Sequence, residues 1–271
     1  MPIKVHTFHV PKSGHTDDEY EDAFATSDPD RLPFRAAIAD GATESAFSGG
    51  WARAWVAEYL KHGDLIESAA AARARWTPPA DDRWYVEAKA AQGSHAAVLG
   101  VEISAAGTDS RPGHIDSRPG GSWRAESLGD CCLFLIRGGA LRLSWPFTRA
   151  DAFHNRPALL SSHASRDDSA GAAAMEAPVA TEGTWHAGDA FMLTTDALAA
   201  WMLARREERD AWRSLLACAD GPSADGPGEA PGDSAPDDRA RGAFERFAAA
   251  ARRGDDHPLS NDDTTAVIIR L

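Results

Sequence analysis

Four acidic residues in this sequence stand at the ends of short apolar runs. Asp40 closes Ala36-Ala37-Ile38-Ala39 and is followed by Gly41. Asp196 follows Phe191-Met192-Leu193, Asp130 precedes Cys132-Leu133-Phe134-Leu135-Ile136, and Asp262 precedes Ala266-Val267-Ile268-Ile269. Apolar runs of this length read as buried strands. A carboxylate at a strand tip points into the loop layer, where a cation can reach it. Glycine at 41 lets its own backbone approach that cation, because no Cβ stands in the way. Hard divalent cations take oxygen ligands of this kind. The chemistry indicated is one metal site on which these acids converge.

Glu21 and Asp22 directly precede a further apolar step, Ala23-Phe24-Ala25, and are candidates for the same site. The acids just before them, Asp17 to Glu19, read as a solvated loop. Asp263, Asp189 and Glu44 read as turn formers or caps, the common role of acids beside helices and strands. His6 and His9 fall on opposite faces of one strand, a poor arrangement for two ligands. His154, His163, His186 and His257 lie in loop-like stretches and read as surface residues. Cys131, Cys132 and Cys218 have no metal-binding spacing, and the first two point to opposite strand faces as packing residues.

The elements that must position the acids follow from periodicity. Strands are expected at 3–10, 36–41, 95–103, 123–128, 190–195 and 265–271. A hairpin is expected over 131–143 with a Gly138-Gly139 turn. Trp51, Trp55 and Tyr59 recur every fourth residue, so a helix runs from an N-cap at Ser48 to about Lys61, ended by Gly63. Further helices are expected at 66–76, broken by Pro78-Pro79, and at 84–92, 198–219 and 240–253. The segment DSRPG occurs twice, at 109–113 and 116–120, and reads as an expanded hairpin loop. Residues 146–188 show little periodicity and read as one long irregular loop. Residues 220–238 have almost no apolar side chains and read as a flexible insertion in a single domain spanning 1–271. Antiparallel strand runs with paired helices between them, without strict alternation, indicate an α+β domain with helices outside two sheets.

The net charge of −13 argues against nucleic acid or an anionic membrane as partner. No apolar run reaches bilayer length and the start carries no signal-peptide core, so a reducing cytoplasm is expected.

In order and spacing, these motifs resemble the PPM/PP2C metal-dependent serine/threonine protein phosphatases, in particular their compact bacterial branch. The resemblance rests on Glu21-Asp22-Ala23-Phe24, IADGATESAFSGGWA, LGDCCLFLIRGG, FMLTTDALAAW and NDDTTAVIIRL, and it covers nearly the whole chain. It implies an αββα sandwich with a Mn²⁺ or Mg²⁺ pair at one end, and a third, weaker ion. Asp40 would bridge the pair, the Gly41 carbonyl would face the second ion, and Asp196 and Asp262 would bind the first. Asp130 would share the third ion with Asp196. Glu21 and Asp22 would hold metal-bound waters, and Asp22 and Asp40 would be the catalytic positions. The implied activity is hydrolysis of phosphoserine or phosphothreonine in proteins by metal-activated water, opposite a partner protein kinase in signalling.

Three positions depart from the family pattern. Asp17 stands where the family carries a phosphate-gripping arginine, four residues before Glu21. Ala42 stands where some members have a histidine, and Ala197 where most have glycine. The phosphate-binding residue is therefore unassigned, with Lys12, Arg31 and Arg35 as basic candidates. Because of Asp17, a catalytically weak or inactive PP2C-like binding domain is the alternative function. Another two-metal hydrolase, such as a phosphodiesterase, is disfavoured by the acidic charge. The family often has asparagine at the position of Asp263, so that substitution is expected to be neutral.

Overall fold

The structure, a computed structural model, describes residues 3–79, 86, 89–106, 120–154, 156–163, 177–206, 210–220, 236–254 and 256–271. Its strands are β1 (Lys4–Val10), β2 (Ala23–Thr26), β3 (Phe34–Gly41), β4 (His95–Ala105), β5 (Gly121–Leu128), β6 (Cys132–Arg137), β7 (Ala140–Trp145), β8 (Leu160–Ser161), β9 (Val179–Trp185), β10 (Ala190–Thr194) and β11 (Thr264–Arg270). Its helices are α1 (Ser48–His62), α2 (Leu65–Arg75), α3 (Asp196–Ala204), α4 (Asp210–Asp220) and α5 (Pro236–Arg252).

The strands form two antiparallel sheets. One has the order β1-β11-β10-β6-β7, and the other β2-β3-β4-β5-β9 with β8 beside β4. The expected α+β architecture of two sheets with helices outside is the observed one. Between the sheets, Ile38, Leu99, Val101, Leu133, Phe191 and Val267 form one buried layer. Strand alternation sends the intervening residues outward. Ala37, Ala39 and Val98 meet α1 and α2 on one side. Phe134, Met192 and Ile268 meet α3, α4 and α5 on the other.

Helix α1 sets the position of the loop after Asp40. Its Trp51, Trp55 and Tyr59 are fully buried against the second sheet, as their spacing predicts. The indole N–H groups of Trp51 and Trp55 donate to the carbonyls of Leu160 and Leu65 at 3.1 and 3.0 Å. Gly63 ends the helix in the left-handed conformation, φ 71°. The Tyr59 ring lies so close over β4 that a Cβ on Gly100 would sit 2.2 Å from it.

The start of α1 differs from expectation. Its N-cap is Phe47, in the left-handed region at φ 58°, and Ser48 is already helical. The Ser48 hydroxyl donates to Glu21 Oε1 at 2.8 Å instead of capping.

The stretch 146–188 is not one irregular loop, because Val179–Trp185 pairs with β5 along its whole length. Its alternation is weak because it is a sheet edge with both faces largely in water. The expected helix 198–219 is two helices, α3 and α4, parted where an apolar run gives way to Arg205 and Arg206. Of the expected helix 84–92, Val86, Lys89 and Ala90 are helical, and residues 80–85, 87 and 88 lie outside the described residues. The two DSRPG copies lie outside them too, apart from Gly120. Of the expected insertion 220–238, Asp220 ends α4, Pro236 begins α5, and 221–235 lie outside the described residues.

Gly100→Ala should cost about 1–3 kcal/mol through overpacking against Tyr59. Urea denaturation measures this, and an unchanged midpoint would show that α1 is not seated on β4 as described.

Candidate metal centre

The strand registers carry the acids to one end of the sandwich. Continuing the β2–β3 pairing by one residue sets Asp22 opposite Asp40. Continuing the β10–β6 pairing by two sets Asp196 opposite Asp130. Continuing the β1–β11 pairing by two sets Asp262 opposite Lys12. The two sheets thus contribute acids from five chain segments to a common rim.

The acids feel one another. Burial first, then the charges of Asp22, Asp196, Asp130 and Asp262, push the Asp40 carboxyl well above the ordinary carboxylate pKa. Burial and the charges of Asp263 and Asp196 raise that of Asp22, against the hydrogen bonds from Thr265 and Thr195. Asp196 is raised by burial and by Asp262, against hydrogen bonds with the Ala197 N–H and with Asp40. Asp130 is pushed up to about 7 by burial, Asp196 and Asp262. Desolvation and like charge both disfavour ionisation, so these directions are expected of carboxylates gathered without a counter-ion.

Among the described residues, no three His, Cys, Asp or Glu side chains already form a metal-binding group. Asp196 Oδ1 accepts from the Ala197 N–H at 2.5 Å, and Asp262 Oδ1 from the Asp263 N–H at 2.9 Å. Each leaves its second oxygen for another partner. Asp130 Oδ1 is buried with no hydrogen-bond partner. A buried, unpartnered carboxylate oxygen costs about 1–3 kcal/mol or more, and a cation would satisfy it. The donor set is all oxygen, which fits Mg²⁺ or Mn²⁺.

Gly41 is required by close packing. A Cβ there would lie 2.6 Å from the Glu21 carbonyl oxygen and 2.8 Å from the Ser48 carbonyl carbon. Gly49, in the first turn of α1, meets the Tyr20 carbonyl oxygen in the same way, at 2.8 Å. The segment before β2, the tip of β3 and the start of α1 are therefore in backbone contact. The loop after Gly41 is tied to β4: the Ala42 N–H donates to the His95 carbonyl at 3.0 Å, and the His95 N–H to Ser45 Oγ at 3.1 Å.

Glu21 and Asp22 have different surroundings. Glu21 Oε2 accepts from Lys12 Nζ at 3.2 Å and Thr43 Oγ1 at 2.7 Å, and its Oε1 from Ser48. Buried Asp22 accepts at Oδ2 from Thr265 Oγ1 at 2.6 Å and Thr195 Oγ1 at 3.0 Å. The Tyr20 hydroxyl contacts Thr265 Oγ1 and lies 3.5 Å from Asp22 Oδ2. These hydroxyls fix Asp22 between the ends of β10 and β11.

The structure also gives a role to an acid whose place before a strand reads as that of a turn former. Asp263 is buried, with its Oδ1 accepting from the Lys12 N–H at 2.9 Å and its Oδ2 from the Glu21 N–H at 2.7 Å. It clamps two segments far away in sequence. Arg252 of α5 adds a second tie, donating to the carbonyls of Pro11 and Asp262 at 3.1 and 2.7 Å.

No protein-family model matches the chain, and no curated protein matches it either. Solved structures do. The Mycobacterium tuberculosis serine/threonine phosphatase PstP/Ppp superposes with a TM-score of 0.58 at 15% identity, over 100% of this chain and 99% of that one. The catalytic domain of PstP in complex with two manganese ions gives 0.55 at 16% identity, over 99% and 98%. The PPM Ser-Thr phosphatase MsPP from Mycobacterium smegmatis in complex with cacodylate gives 0.52 at 17% identity, over 99% and 98%. This chain has the fold of the PPM serine/threonine phosphatases. The PPM fold expected from the motif order is thus the observed one. Among the described residues, no helix is long and apolar enough to cross a membrane.

Two outcomes test this arrangement. An asparagine at 263 offers one acceptor oxygen where the aspartate offers two. One of the Lys12 and Glu21 N–H groups would then face an amide N–H₂. The structure reverses the expectation that Asp263→Asn is neutral: it should cost about 1–3 kcal/mol in urea denaturation of the chelator-treated protein. A cost within a few tenths would remove the clamp. The second outcome concerns pH. The folded-state pKa of Asp130, about 7, lies above the ordinary value of about 3.9. Between these values the native state holds a proton that the unfolded chain has released, so this group's contribution to stability falls as pH rises. Without divalent cations, Asp130→Asn should therefore gain stability over the wild type as pH goes from about 4 to about 7. A difference that stays constant over this window would contradict the crowding.

Proposed function

We propose that this chain is a phosphoprotein phosphatase that hydrolyses phosphoserine and phosphothreonine with two divalent cations, Mn²⁺ or Mg²⁺. The reading is carried by the convergence of five mutually repelling carboxylates at one end of a PPM-type sandwich. Asp40 would be shared by both ions, with the Gly41 carbonyl on the second, Asp196 and Asp262 on the first, and Asp130 with Asp196 on a weaker third. The two manganese ions bound to PstP support the number and the metal. Bound cations of this kind supply Lewis acidity, make water nucleophilic at neutral pH and offset charge on a phosphoryl group.

The chain's own residues then hold water and substrate. A carboxylate has about four acceptor sites. Glu21 spends three on Lys12, Thr43 and Ser48, which leaves it one for a water hydrogen. Asp22, held by the Thr265 and Thr195 hydroxyls, is the fixed acceptor that orients a second water. Neither needs to act as a nucleophile. Buried Cys131 and Cys132 are held as thiols, both pushed up by burial and by neighbouring acids. The partners of such an enzyme are a phosphoprotein and the kinase that modifies it.

A second reading, a PPM-like domain without catalysis, is favoured by Asp17. That residue is exposed in a one-turn helix and lies 3.9 Å from Arg241, so the family's arginine has no counterpart at its usual position.

One set of measurements separates the two. Under the first reading, the wild type hydrolyses a phosphothreonine peptide and p-nitrophenyl phosphate only with Mn²⁺ or Mg²⁺. Asp40→Asn should lower turnover by about a hundredfold or more, since even changes around metal ligands cost 10–100-fold. Mn²⁺ at a hundred times its Kd should stabilise the wild type by about 2.7 kcal/mol, a rise of several degrees in Tm. Stabilisation without turnover supports the binding-domain reading. A melting curve unmoved by Mn²⁺ removes the metal site.

A further inference from the structure

The phosphate of a substrate needs a cation of the chain, and Lys12 is placed to supply it. A phosphomonoester brings close to two negative charges to a rim that already gathers several carboxylates. Lys12 follows β1 and lies, in continued register, opposite Asp262. The peptide group that leads into it is held at both ends, by Asp263 on the Lys12 N–H and by Arg252 on the Pro11 carbonyl. Its side chain is only 13% exposed, unlike an ordinary surface lysine. The ammonium lies 3.2 Å from Glu21 Oε2 and 3.5 Å from Thr43 Oγ1. An ammonium carries three donors, so one remains for an incoming oxyanion. Thr43 is two residues from Gly41, which keeps Lys12 beside the tip that bears Asp40.

Among the described residues, four arginines that could compete for this role are committed elsewhere. Arg35 donates to the carbonyls of Leu60 and Lys61 and pairs with Glu102 at 2.7 Å, at the far end of α1. Arg31 is exposed and pairs with Asp28 at 3.4 Å. Arg252 donates from its two terminal nitrogens to the carbonyls of Pro11 and Asp262 and to Thr264 Oγ1, and its Nε is buried. Arg241 lies between Glu245 and Asp17.

We propose that Lys12 Nζ grips a phosphoryl oxygen of the substrate, held in place by Glu21, Thr43 and the Asp263 clamp. The assignment rests on the phosphatase reading. Lysine gives a point charge where an arginine would give a planar fork. The grip therefore adds affinity more than orientation.

The test uses the full chain loaded with Mn²⁺, as wild type, Lys12→Met and Lys12→Arg. Three quantities are read: inorganic phosphate binding by calorimetry, KM and kcat on a phosphothreonine peptide, and the Mn²⁺-induced rise in Tm. Lys12→Met should weaken phosphate binding by about tenfold to a hundredfold, the range of a hydrogen bond to a charged group. KM should rise more than kcat falls, Lys12→Arg should recover part of the loss, and the rise in Tm should be the same in all three. Unchanged phosphate affinity in Lys12→Met overturns the assignment. So does a loss that comes with a smaller Mn²⁺ effect, because Lys12 would then act by holding the acids. If the wild type hydrolyses no phosphate ester yet binds phosphate through Lys12, the grip stands and the phosphatase reading falls. A wild type that binds no phosphate overturns the grip whatever its turnover.

Discussion

The site depends on one buried carboxylate that is not among its candidate metal ligands. Asp263, at the entry to β11, takes the N–H of Lys12 on one oxygen and that of Glu21 on the other. β11 belongs to the first sheet, and Glu21 leads into β2 of the second. The clamp therefore joins the two sheets at the end where the acids gather. A charged acceptor suits this task. Hydrogen bonds to an ionised oxygen are stronger than neutral ones, and both N–H groups lie in partly buried surroundings. Arg252 reinforces the same junction from α5 and adds a positive charge beside Asp262 and Asp263.

Packing supplies what electrostatics opposes. The carboxylates at the rim repel, and burial raises the pKa of Asp22, Asp40, Asp130 and Asp196 together. Apart from a hydrogen bond between Asp40 and Asp196, their mutual interaction opposes gathering them. What gathers them is the apolar layer between the sheets, where Ile38, Leu133, Leu193 and Val267 are fully buried. Strand pairing fixes where each strand ends, so the acid beyond each apolar run has no choice of position. Gly41 and Gly49 let the backbones at the rim touch.

How much of this was legible in the sequence follows from the range of the interactions. Asp40, Asp130, Asp196 and Asp262 could be picked out because each adjoins an apolar run, a feature of neighbouring residues. The stripe of Trp51, Trp55 and Tyr59 placed α1 for the same reason. Asp263 could not be recognised, because its partners lie 251 and 242 residues away and an acid before a strand usually serves a turn. Ser48 carried a cap signal, but the helix starts at Ser48 itself, after an N-cap at Phe47, and the hydroxyl donates to Glu21 across the fold. β9 was invisible because an edge strand in water needs no apolar alternation. The boundary between α3 and α4 carries no glycine or proline to mark it.

Under the proposal made for Lys12, the cation would come from another part of the chain than the segment before Glu21. The segment that would carry the family's arginine is a single 3-10 turn, Asp17–Glu19, closed by a capping box between Thr16 and Glu19. That turn faces outward, and its Asp17 is 69% exposed beside Arg241 of α5. Lys12 comes from the strand end that lies next to Asp262, so its side chain runs inward along the rim. Sequence spacing from Glu21 is then the wrong measure of the distance to the gathered acids. The pairing of β1 with β11 is the right one, and it belongs to the fold rather than to any local motif.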